Sequence, residues 1–380
     1  MSEDTFDLDT LDIGDLDFDV TDSDSAREVE DDGKRGLKFA FIGAGQCGNN
    51  ICSTLWEHGY RRVVLFNTTE KDLRINSVPQ AWHVVAEGYD GAGKDRAVGK
   101  QAALSSAQKI LELMSKRFFG ADFIFVCTSA GGGTGSGSAK ALADMAKSWL
   151  IQTLNITKEE AAKRVGIIAA LPKQQEGTAA SDNSKAFITD FVDSGTGVTL
   201  GHSPLFFIDN ARAERPLLKV KVPLVSINHA INKVLVQLFD MFNITSARSS
   251  DMYTLDSKDY SGILSSGIVT IGASRIRRVE TDSDIARALR SNLSQTVLVD
   301  GLDIATGTHA ALVINGGDSV IDSITPASID AAQEMLNTLL GGHTGNKKVT
   351  LHLGVYRQER EQIDIMSIVG GLAFPVSRLK

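Results

Sequence analysis

The sequence predicts an α/β protein in which a doubly wound parallel sheet is followed by a long central helix and a smaller α/β domain. Short apolar runs recur from residue 37 onward, and uninterrupted runs of this length are typical of strands buried on both faces. Helix-length segments alternate with them, as in sheets built from strand–helix–strand units. Two glycine-rich turns each join an apolar run to a helical segment.

The predicted elements fall on either side of one long helix. The first group contains strands at 37–42, 63–66, 123–127, 165–171 and 205–208, with helices at 97–118 and 137–150. A glycine-free helical stretch runs from 223 to about 242. The second group contains strands at 267–273, 309–314, 349–355 and 366–371, with helices near 282–292 and 326–339. We therefore divide the chain into a tail (1–35), an N-terminal α/β domain (36–222), a central helix (223–246) and a C-terminal α/β domain (247–380).

The negative charge of the chain is concentrated in its first 35 residues. The net charge is −8, but this segment holds 14 of the 47 acidic residues and 3 of the 39 basic ones, which leaves the remainder at +3. Acidic and apolar residues alternate there with too little apolar mass to offset the entropy of ordering, so we predict a disordered tail. Segments of this composition also fold onto partners, which makes the tail a candidate docking segment for a basic adaptor.

Composition argues against several classes of protein. The longest apolar runs are far shorter than the 18 residues of a membrane-spanning helix, and the acidic start is unlike a secretory signal. Cys47, Cys52 and Cys127 do not have the spacing of a zinc site and fit a reduced, cytoplasmic environment. The nearly neutral body gives no electrostatic indication of direct nucleic-acid or membrane binding.

The first glycine-rich turn, GAGQCG at 43–48, matches the GxGxxG pattern. Its glycines let backbone N–H groups approach a pyrophosphate at a helix N-terminus. Taken alone, the motif fits a nicotinamide-dependent oxidoreductase as well as a nucleotide-phosphate site, with Glu70 as a candidate ribose-binding acid.

The second turn, AGGGTGSG at 130–137, decides between these classes. Consecutive glycines let the backbone curl so that several N–H donors face one anion. Thr134 and Ser136 add hydroxyl donors, and we predict a helix beginning near Ser138 whose dipole favours negative charge. A dehydrogenase needs one pyrophosphate turn, whereas two turns at separate strand ends suit a triphosphate held from both sides.

A third glycine-containing segment, GYDGAGKD at 88–95, only approximates a P-loop. It satisfies GxxxxGK but ends in Asp95, where a P-loop requires Ser or Thr to ligate Mg²⁺. It also follows no strong apolar strand. We therefore reject a P-loop, although its central glycines remain candidates to contact a phosphate.

Together these turns resemble those of the tubulin/FtsZ superfamily of GTPases. GGGTGSG (131–137) resembles the signature turn, GAGQCGNN (43–50) the first nucleotide loop, FNTTE (66–70) the second and GYDGAGKDRAVG (88–99) the third. LPKQQEG (171–177), FFIDNA (206–211) and AINKVL (230–235) follow in the family's order, and VGGLAFP (369–375) is similar to a stretch of the plasmid and phage branch called TubZ. The resemblance covers about residues 37–375.

The resemblance implies a protein that binds GTP, hydrolyses it to GDP, and assembles head-to-tail with copies of itself into cytoplasmic filaments. Filaments of this kind serve cell division, plasmid segregation or phage positioning. Mg²⁺ is inferred from the phosphate chemistry alone. The sequence itself contains no recognisable cluster of metal ligands.

Position by position, the resemblance assigns nucleotide contacts to Gly45, Gln46, Cys47 and Asn50 (α- and β-phosphates), Gly131, Gly132, Gly133, Thr134, Gly135, Ser136 and Gly137 (all phosphates), Asn67, Ala92 and Gly93 (γ-phosphate), Glu176 (ribose), and Asn210 and Asn232 (guanine).

The segment TLDSKD at 254–259 resembles the family's catalytic loop, whose acids enter the nucleotide site of the next subunit. The resemblance therefore assigns Asp256 and Asp259 as catalytic residues, because carboxylates can orient and polarise the attacking water. Outside this family context, the same pair of acids is typical of a solvated loop or a helix cap.

Four positions depart from the family pattern: Thr254 replaces an Asn, Thr69 an acid, Ala180 an Arg near the phosphates and Asn228 a Phe near the base. These departures leave open a nucleotide-dependent scaffold that forms filaments without hydrolysis. The oxidoreductase remains the other alternative.

The chain ends shortly after its last predicted strand, so we expect the acidic N-terminal tail to recruit an adaptor. Deleting residues 1–35 should leave polymerisation intact and abolish localisation of the tagged protein in cells. Unchanged localisation would contradict this role.

Overall fold

The computed structural model describes residues 34–74, 76–219, 224–294, 298, 301–343, 347–359 and 361–379. The predicted tail lies outside these residues except for its last two, Lys34 and Arg35. Among the described residues, ten strands form one sheet in the order β3-β2-β1-β4-β5-β6-β7-β10-β8-β9. In chain order they are β1 (Phe39–Ala44), β2 (Val63–Asn67), β3 (His83–Val85), β4 (Phe123–Ser129), β5 (Val165–Leu171), β6 (Leu205–Asp209), β7 (Ile268–Ile276), β8 (His309–Gly316), β9 (Thr350–Arg357) and β10 (Ile363–Leu372).

The sheet changes character along its width. Strands β1 to β6 are all parallel to their neighbours, and β7 joins β6 in parallel at a single pair, Leu205 with Ile268. Beyond that point β10 runs antiparallel to β7 and to β8, while β8 and β9 are parallel. The predicted parallel sheet of the N-terminal half is therefore confirmed, and the C-terminal half is a mixed sheet continuous with it.

Helices cover both faces of the sheet and bury one apolar layer against each. One layer lies beneath α2 (Arg96–Ser105), α3 (Ala107–Arg117), α4 (Thr134–Leu154), α5 (Lys158–Ala162), α6 (Thr178–Thr189), α10 (Asp284–Ser294), α11 (Asp318–Ile321) and α12 (Pro326–Leu339). The other lies beneath α1 (Gly45–Glu57), α7 (Asn210–Lys219), α8 (Leu224–Thr245) and α9 (Ser257–Leu264). None of the described helices is both long and apolar enough to cross a membrane.

Several helix boundaries differ from the prediction. The helix predicted at 97–118 is divided at Ser106, where Ser105 Oγ donates to the Ala102 carbonyl at 3.0 Å. Short polar side chains of this kind compete with the helix ladder for backbone groups. The helix predicted near Ser138 begins instead at Thr134, so the second half of the glycine signature is already helical. Strand β3 and helices α5, α6, α7, α9 and α11 were not predicted.

A buried polar network fixes the chain just before β1. Arg35 donates to Asp240 of α8 through Nε at 2.6 Å, and Tyr60 donates its hydroxyl to the same carboxylate at 2.7 Å. The Asn243 amide pairs with both backbone groups of Leu37 at 2.9 Å. Burial raises the pKa of the Tyr60 phenol well above its ordinary value, so the phenol keeps the proton that it donates. Arg35 therefore belongs to the folded body rather than to the predicted tail.

Replacing Asp240 by Ala should lower the free energy of unfolding by about 3 kcal/mol, because the Arg35 guanidinium would remain buried without its counter-charge. Only 2% of Asp240 is exposed. Urea denaturation followed by circular dichroism measures the change. The matched control is Glu334→Ala, which removes an exposed contact with His343 and should change stability by less than about 0.5 kcal/mol. Equal effects of the two variants would contradict this account.

Candidate nucleotide-binding site

The two glycine signatures bring the N-termini of α1 and α4 into contact. A Cβ atom added to Gly45 would lie 2.9 Å from the Gly135 nitrogen, and one added to Gly135 would lie 2.7 Å from the Ala44 carbonyl oxygen. Gly45 also has a φ of +69°, in the left-handed region that favours glycine. Both helices follow central strands, β1 and β4, which are paired in parallel. Only glycine allows the two helix starts to approach this closely.

These two helix N-termini have backbone donors that no side chain caps. The first N–H groups of an α-helix have no intrahelical partner. At the starts of α2, α5 and α12, a side chain accepts a hydrogen bond from one of these N–H groups; the capping residues are Asp95, Thr157 and Thr325. Neither α1 nor α4 has a side-chain cap or an acidic residue in its first turn. The uncapped donors and two helix dipoles therefore favour a bound anion at this point.

The hydroxyl groups of the second signature have different partners. Thr134 Oγ1 lies 2.7 Å from Thr68 Oγ1, so the turn after β2 reaches the start of α4. The Ser136 hydroxyl is buried and donates to the Gly132 carbonyl within its own turn. Ser136 thus stabilises the turn, while its backbone N–H remains the group that can bind a phosphate.

Asn67, predicted to contact the γ-phosphate, is buried at the end of β2. Its amide oxygen accepts from the Thr68 N–H at 2.8 Å and its amide nitrogen lies 3.4 Å from Asp72. These contacts occupy the amide, and Thr68 is the residue of this turn whose side chain contacts the signature. Thr68 is therefore an additional candidate for a contact with the ligand, and the assignment of Asn67 stays a prediction.

The third glycine segment packs directly against the second. A Cβ atom added to Gly133 would lie 2.9 Å from Cβ of Ala92. Gly93 and Lys94 both have positive φ angles, +54° and +66°, which turn the chain before α2 begins. Asn183 of α6 donates to the Lys94 carbonyl at 2.8 Å and lies 3.3 Å from the Gly131 carbonyl. One amide therefore holds the second and third segments together.

The remaining first-loop residues lie along the start of α1. Gln46 is exposed, and Cys47 and Asn50 are half-buried. Burial, with smaller contributions from Cys127 and Glu176, raises the pKa of the Cys47 thiol to about 12. Cys47 therefore stays an uncharged thiol at neutral pH, which suits a position beside phosphates.

Glu176 and Asn210 follow the ends of the parallel strands β5 and β6, whereas Asn232 lies within helix α8. Glu176 is exposed, and its carboxylate accepts from the Lys173 N–H at 2.8 Å; Lys94 Nζ lies 3.3 Å from its carbonyl oxygen. Asn210 is the first residue of α7, directly after β6. Asn232 is half-buried in α8, which packs against α1.

The two predicted catalytic acids lie at the opposite end of β1 from the glycine turns. Gly36 precedes β1, and a Cβ atom added to it would lie 2.5 Å from Oγ of Ser257, the residue after Asp256. The glycine turns lie beyond the other end of this strand. Because β1 contains six residues of extended chain, its two ends are about 20 Å apart. The acids therefore lie far from the glycine turns of the same subunit.

Asp256 and Asp259 form a reciprocal cap at the start of α9. Asp256 Oδ1 accepts from the Asp259 N–H at 2.8 Å, and Asp259 Oδ2 lies 3.5 Å from the Asp256 nitrogen. Asp256 is exposed, whereas Asp259 is half-buried and its Oδ1 lies 3.1 Å from Nδ1 of His352. The acids thus have a structural role in capping α9, and Asp256 still presents its second carboxylate oxygen outward.

Part of the chain matches a known protein family. Residues 38–199 match the Tubulin/FtsZ family, GTPase domain. The predicted resemblance to the tubulin/FtsZ superfamily is confirmed over this range. The matched range contains every glycine segment described above, and the alternative of an oxidoreductase receives no support from the relatives found.

Two curated relatives and one solved structure illustrate the similarity to the superfamily. The tubulin-like protein TubZ of Bacillus cereus is 26% identical over 200 residues, which are 50% of this chain and 42% of that protein. Cell division protein FtsZ 1 of Pyrococcus horikoshii is 24% identical over 340 residues, 87% of this chain and 80% of that protein. A GTPγS-form protofilament of TubZ from Bacillus thuringiensis serovar israelensis has a TM-score of 0.72 at 16% identity, covering 91% of this chain and 90% of that one. The match to the Bacillus cereus protein thus spans less than half its length, and the structural likeness shows the shared fold.

Proposed function

We propose that this chain binds GTP between the glycine turns and hydrolyses it to GDP when the next subunit of a head-to-tail filament completes the site. The observation that carries the proposal is the contact between the uncapped N-termini of α1 and α4 through Gly45 and Gly135. Two sets of free N–H donors that meet at one point suit a polyphosphate rather than a single carboxylate.

The other predicted contacts extend this site across the sheet edge. In this arrangement Thr134 and Thr68 lie at the terminal phosphates, Glu176 binds the ribose hydroxyls, and Asn210 and Asn232 read the guanine edge, to which an amide offers both a donor and an acceptor. Among the described residues, no cluster of His, Cys, Asp or Glu side chains could hold a metal ion. Mg²⁺ still fits, because it is usually held through substrate phosphates and retained waters, and it would neutralise charge on the phosphates.

The separation of the acids from the glycine turns supports catalysis between subunits. A contact that joins one end of a subunit to the opposite end of the next is not self-complementary, so its repetition gives an open filament. Asp256 of one subunit then orients the attacking water at the nucleotide of its neighbour. Hydrolysis converts the interface to its GDP form and weakens it. Filaments of this superfamily serve segregation, positioning or division, and imaging of the tagged filament in its native cell identifies which.

Two observations favour the second candidate, a filament scaffold without hydrolysis. The reciprocal cap gives both acids a structural role, and Ala180, which packs beneath Gly131, offers no charge to the phosphates. Phosphate release measured against protein concentration separates the two candidates. A cooperative threshold that coincides with filament formation supports the polymer-activated GTPase, and filaments without phosphate release support the scaffold. Failure to retain any guanine nucleotide with magnesium would overturn both.

A further inference from the structure

The segment that carries the two acids is attached along the edge strand of the sheet. Strand β9 is the last strand in the sheet order, paired on one side with β8. Arg248 donates to the Arg357 carbonyl at 2.6 Å, and Tyr253 forms an isolated antiparallel bridge with Val355. The segment 248–259 therefore follows β9 in the reverse direction, and its position depends on that strand.

Two side chains of β9 contact the acid-bearing turn itself. The Tyr356 hydroxyl accepts from the Leu255 N–H at 2.8 Å and lies 3.3 Å from the Leu255 carbonyl oxygen, so it holds the residue immediately before Asp256. The Tyr356 side chain is buried, and burial raises the pKa of its phenol, which therefore stays protonated as this arrangement requires. His352 Nδ1 lies 3.1 Å from Asp259 Oδ1.

These contacts link into a continuous path from β9 to Asp256. His352 restrains Asp259, and Asp259 shares the reciprocal cap with Asp256. Tyr356 restrains the same turn from the preceding residue, so the backbone of Asp256 is held from both sides. Because Asp259 already has a partner on each oxygen, Asp256 is the acid whose carboxylate can face a neighbouring subunit.

We propose that His352 and Tyr356 are positioning residues that fix the orientation of the catalytic acids toward the nucleotide of the next subunit. This inference rests on the proposed function. The two side chains act through Asp259 and Leu255 and do not themselves touch the nucleotide. A misplacement of about 1 Å in a catalytic group can cost roughly 100-fold in rate, so restraint of a single turn matters for turnover.

The surroundings of His352 provide a matched control. His309 lies on the neighbouring strand β8, near enough to interact electrostatically with His352, but its Nδ1 lies 2.9 Å from Thr308 Oγ1 instead. Substitution of His309 alters the strand next to β9 without removing a contact to either acid. His309→Leu is therefore expected to keep the parental turnover.

The test compares His352→Leu, His352→Asn, Tyr356→Phe and His309→Leu in full-length protein. Turnover is measured at saturating GTP above the assembly threshold, with sedimentation to confirm that equal amounts of filament are present, and GTP affinity is measured below the threshold. His352→Leu and Tyr356→Phe should each lower kcat about 10-fold with unchanged GTP affinity. His352→Asn places an amide nitrogen near the position of Nδ1 and should recover kcat to within about threefold of the parent.

Parental kcat in both His352→Leu and Tyr356→Phe would overturn the positioning role. A merely structural role would lower filament yield and GTP affinity together, without rescue by Asn, and this pattern would also overturn it. Asp256→Ala, run in parallel, separates this inference from the proposed function. If that variant retains turnover, the catalytic assignment fails; if it is inactive while the β9 variants are fully active, only the present inference fails.

Discussion

Asp256→Asn should reduce polymer-stimulated phosphate release at least about 100-fold while leaving GTP binding unchanged. The substitution removes the charge that orients the attacking water, but Asn is as good an N-cap as Asp, so α9 keeps its first turn. Asp256 accepts from the Asp259 N–H at 2.8 Å, a bond that an Asn side-chain oxygen can also make. Because the GDP interface would no longer form, filaments of the variant should outlast parental filaments after GTP is exhausted. Phosphate release and light scattering on the same sample measure both effects.

The control is the same substitution at a cap elsewhere in the C-terminal half. Asp303 caps a short 3₁₀ turn by accepting from the Ala305 N–H at 3.0 Å. Asp303→Asn should leave turnover and filament lifetime as in the parent. Parental hydrolysis by Asp256→Asn would show that the acid serves α9 alone and would leave the filament scaffold as the function.

Sequence patterns predicted the strands well because burial on both faces leaves a simple signal. The apolar runs at 63–66 and 165–171 became β2 and β5 with boundaries shifted by at most one residue. The predicted helix boundaries were wrong where close backbone contacts determine the start of a helix. Helix α4 begins inside the glycine signature because Gly135 and Gly137 can pack against Ala44 and Arg96, a close approach that helix propensity does not encode.

The candidate site was predictable where one continuous segment supplies it and not where distant segments meet. The glycine turns carry their own chemistry in their spacing, and so they could be identified. Asn183, which joins two of the turns, lies in α6 some 50 residues beyond the signature and is an ordinary polar residue in sequence. Tyr356 lies 101 residues from the turn that it holds. Only the tertiary fold brings such residues together.

Gly135→Ala should weaken GTP binding by more than about 100-fold. The added methyl group would lie 2.5 Å from Thr128 Oγ1 and 2.7 Å from the Ala44 carbonyl oxygen, and the latter is backbone that cannot rotate away. The start of α4 must therefore move away from α1, which separates the two sets of N–H donors. Hydrogen bonds to charged groups contribute about 1.5–3 kcal/mol each, so the loss of two of them accounts for the predicted effect. Titration of a fluorescent GTP analogue in magnesium measures the affinity.

Gly262→Ala separates this specific effect from the general consequences of replacing glycine. Gly262 is exposed within α9 and has nothing within 4 Å of an added Cβ atom, so alanine there should raise stability by about 0.5–1 kcal/mol and leave GTP affinity unchanged. Gly45→Ala should reproduce the loss of affinity, because its added Cβ atom would lie 2.9 Å from the Gly135 nitrogen on the other side of the same contact. If Gly135→Ala and Gly45→Ala both fold with parental melting temperatures and bind GTP as tightly as the parent, the nucleotide does not lie between these two helices. The polyphosphate site would then have to be sought elsewhere on the sheet.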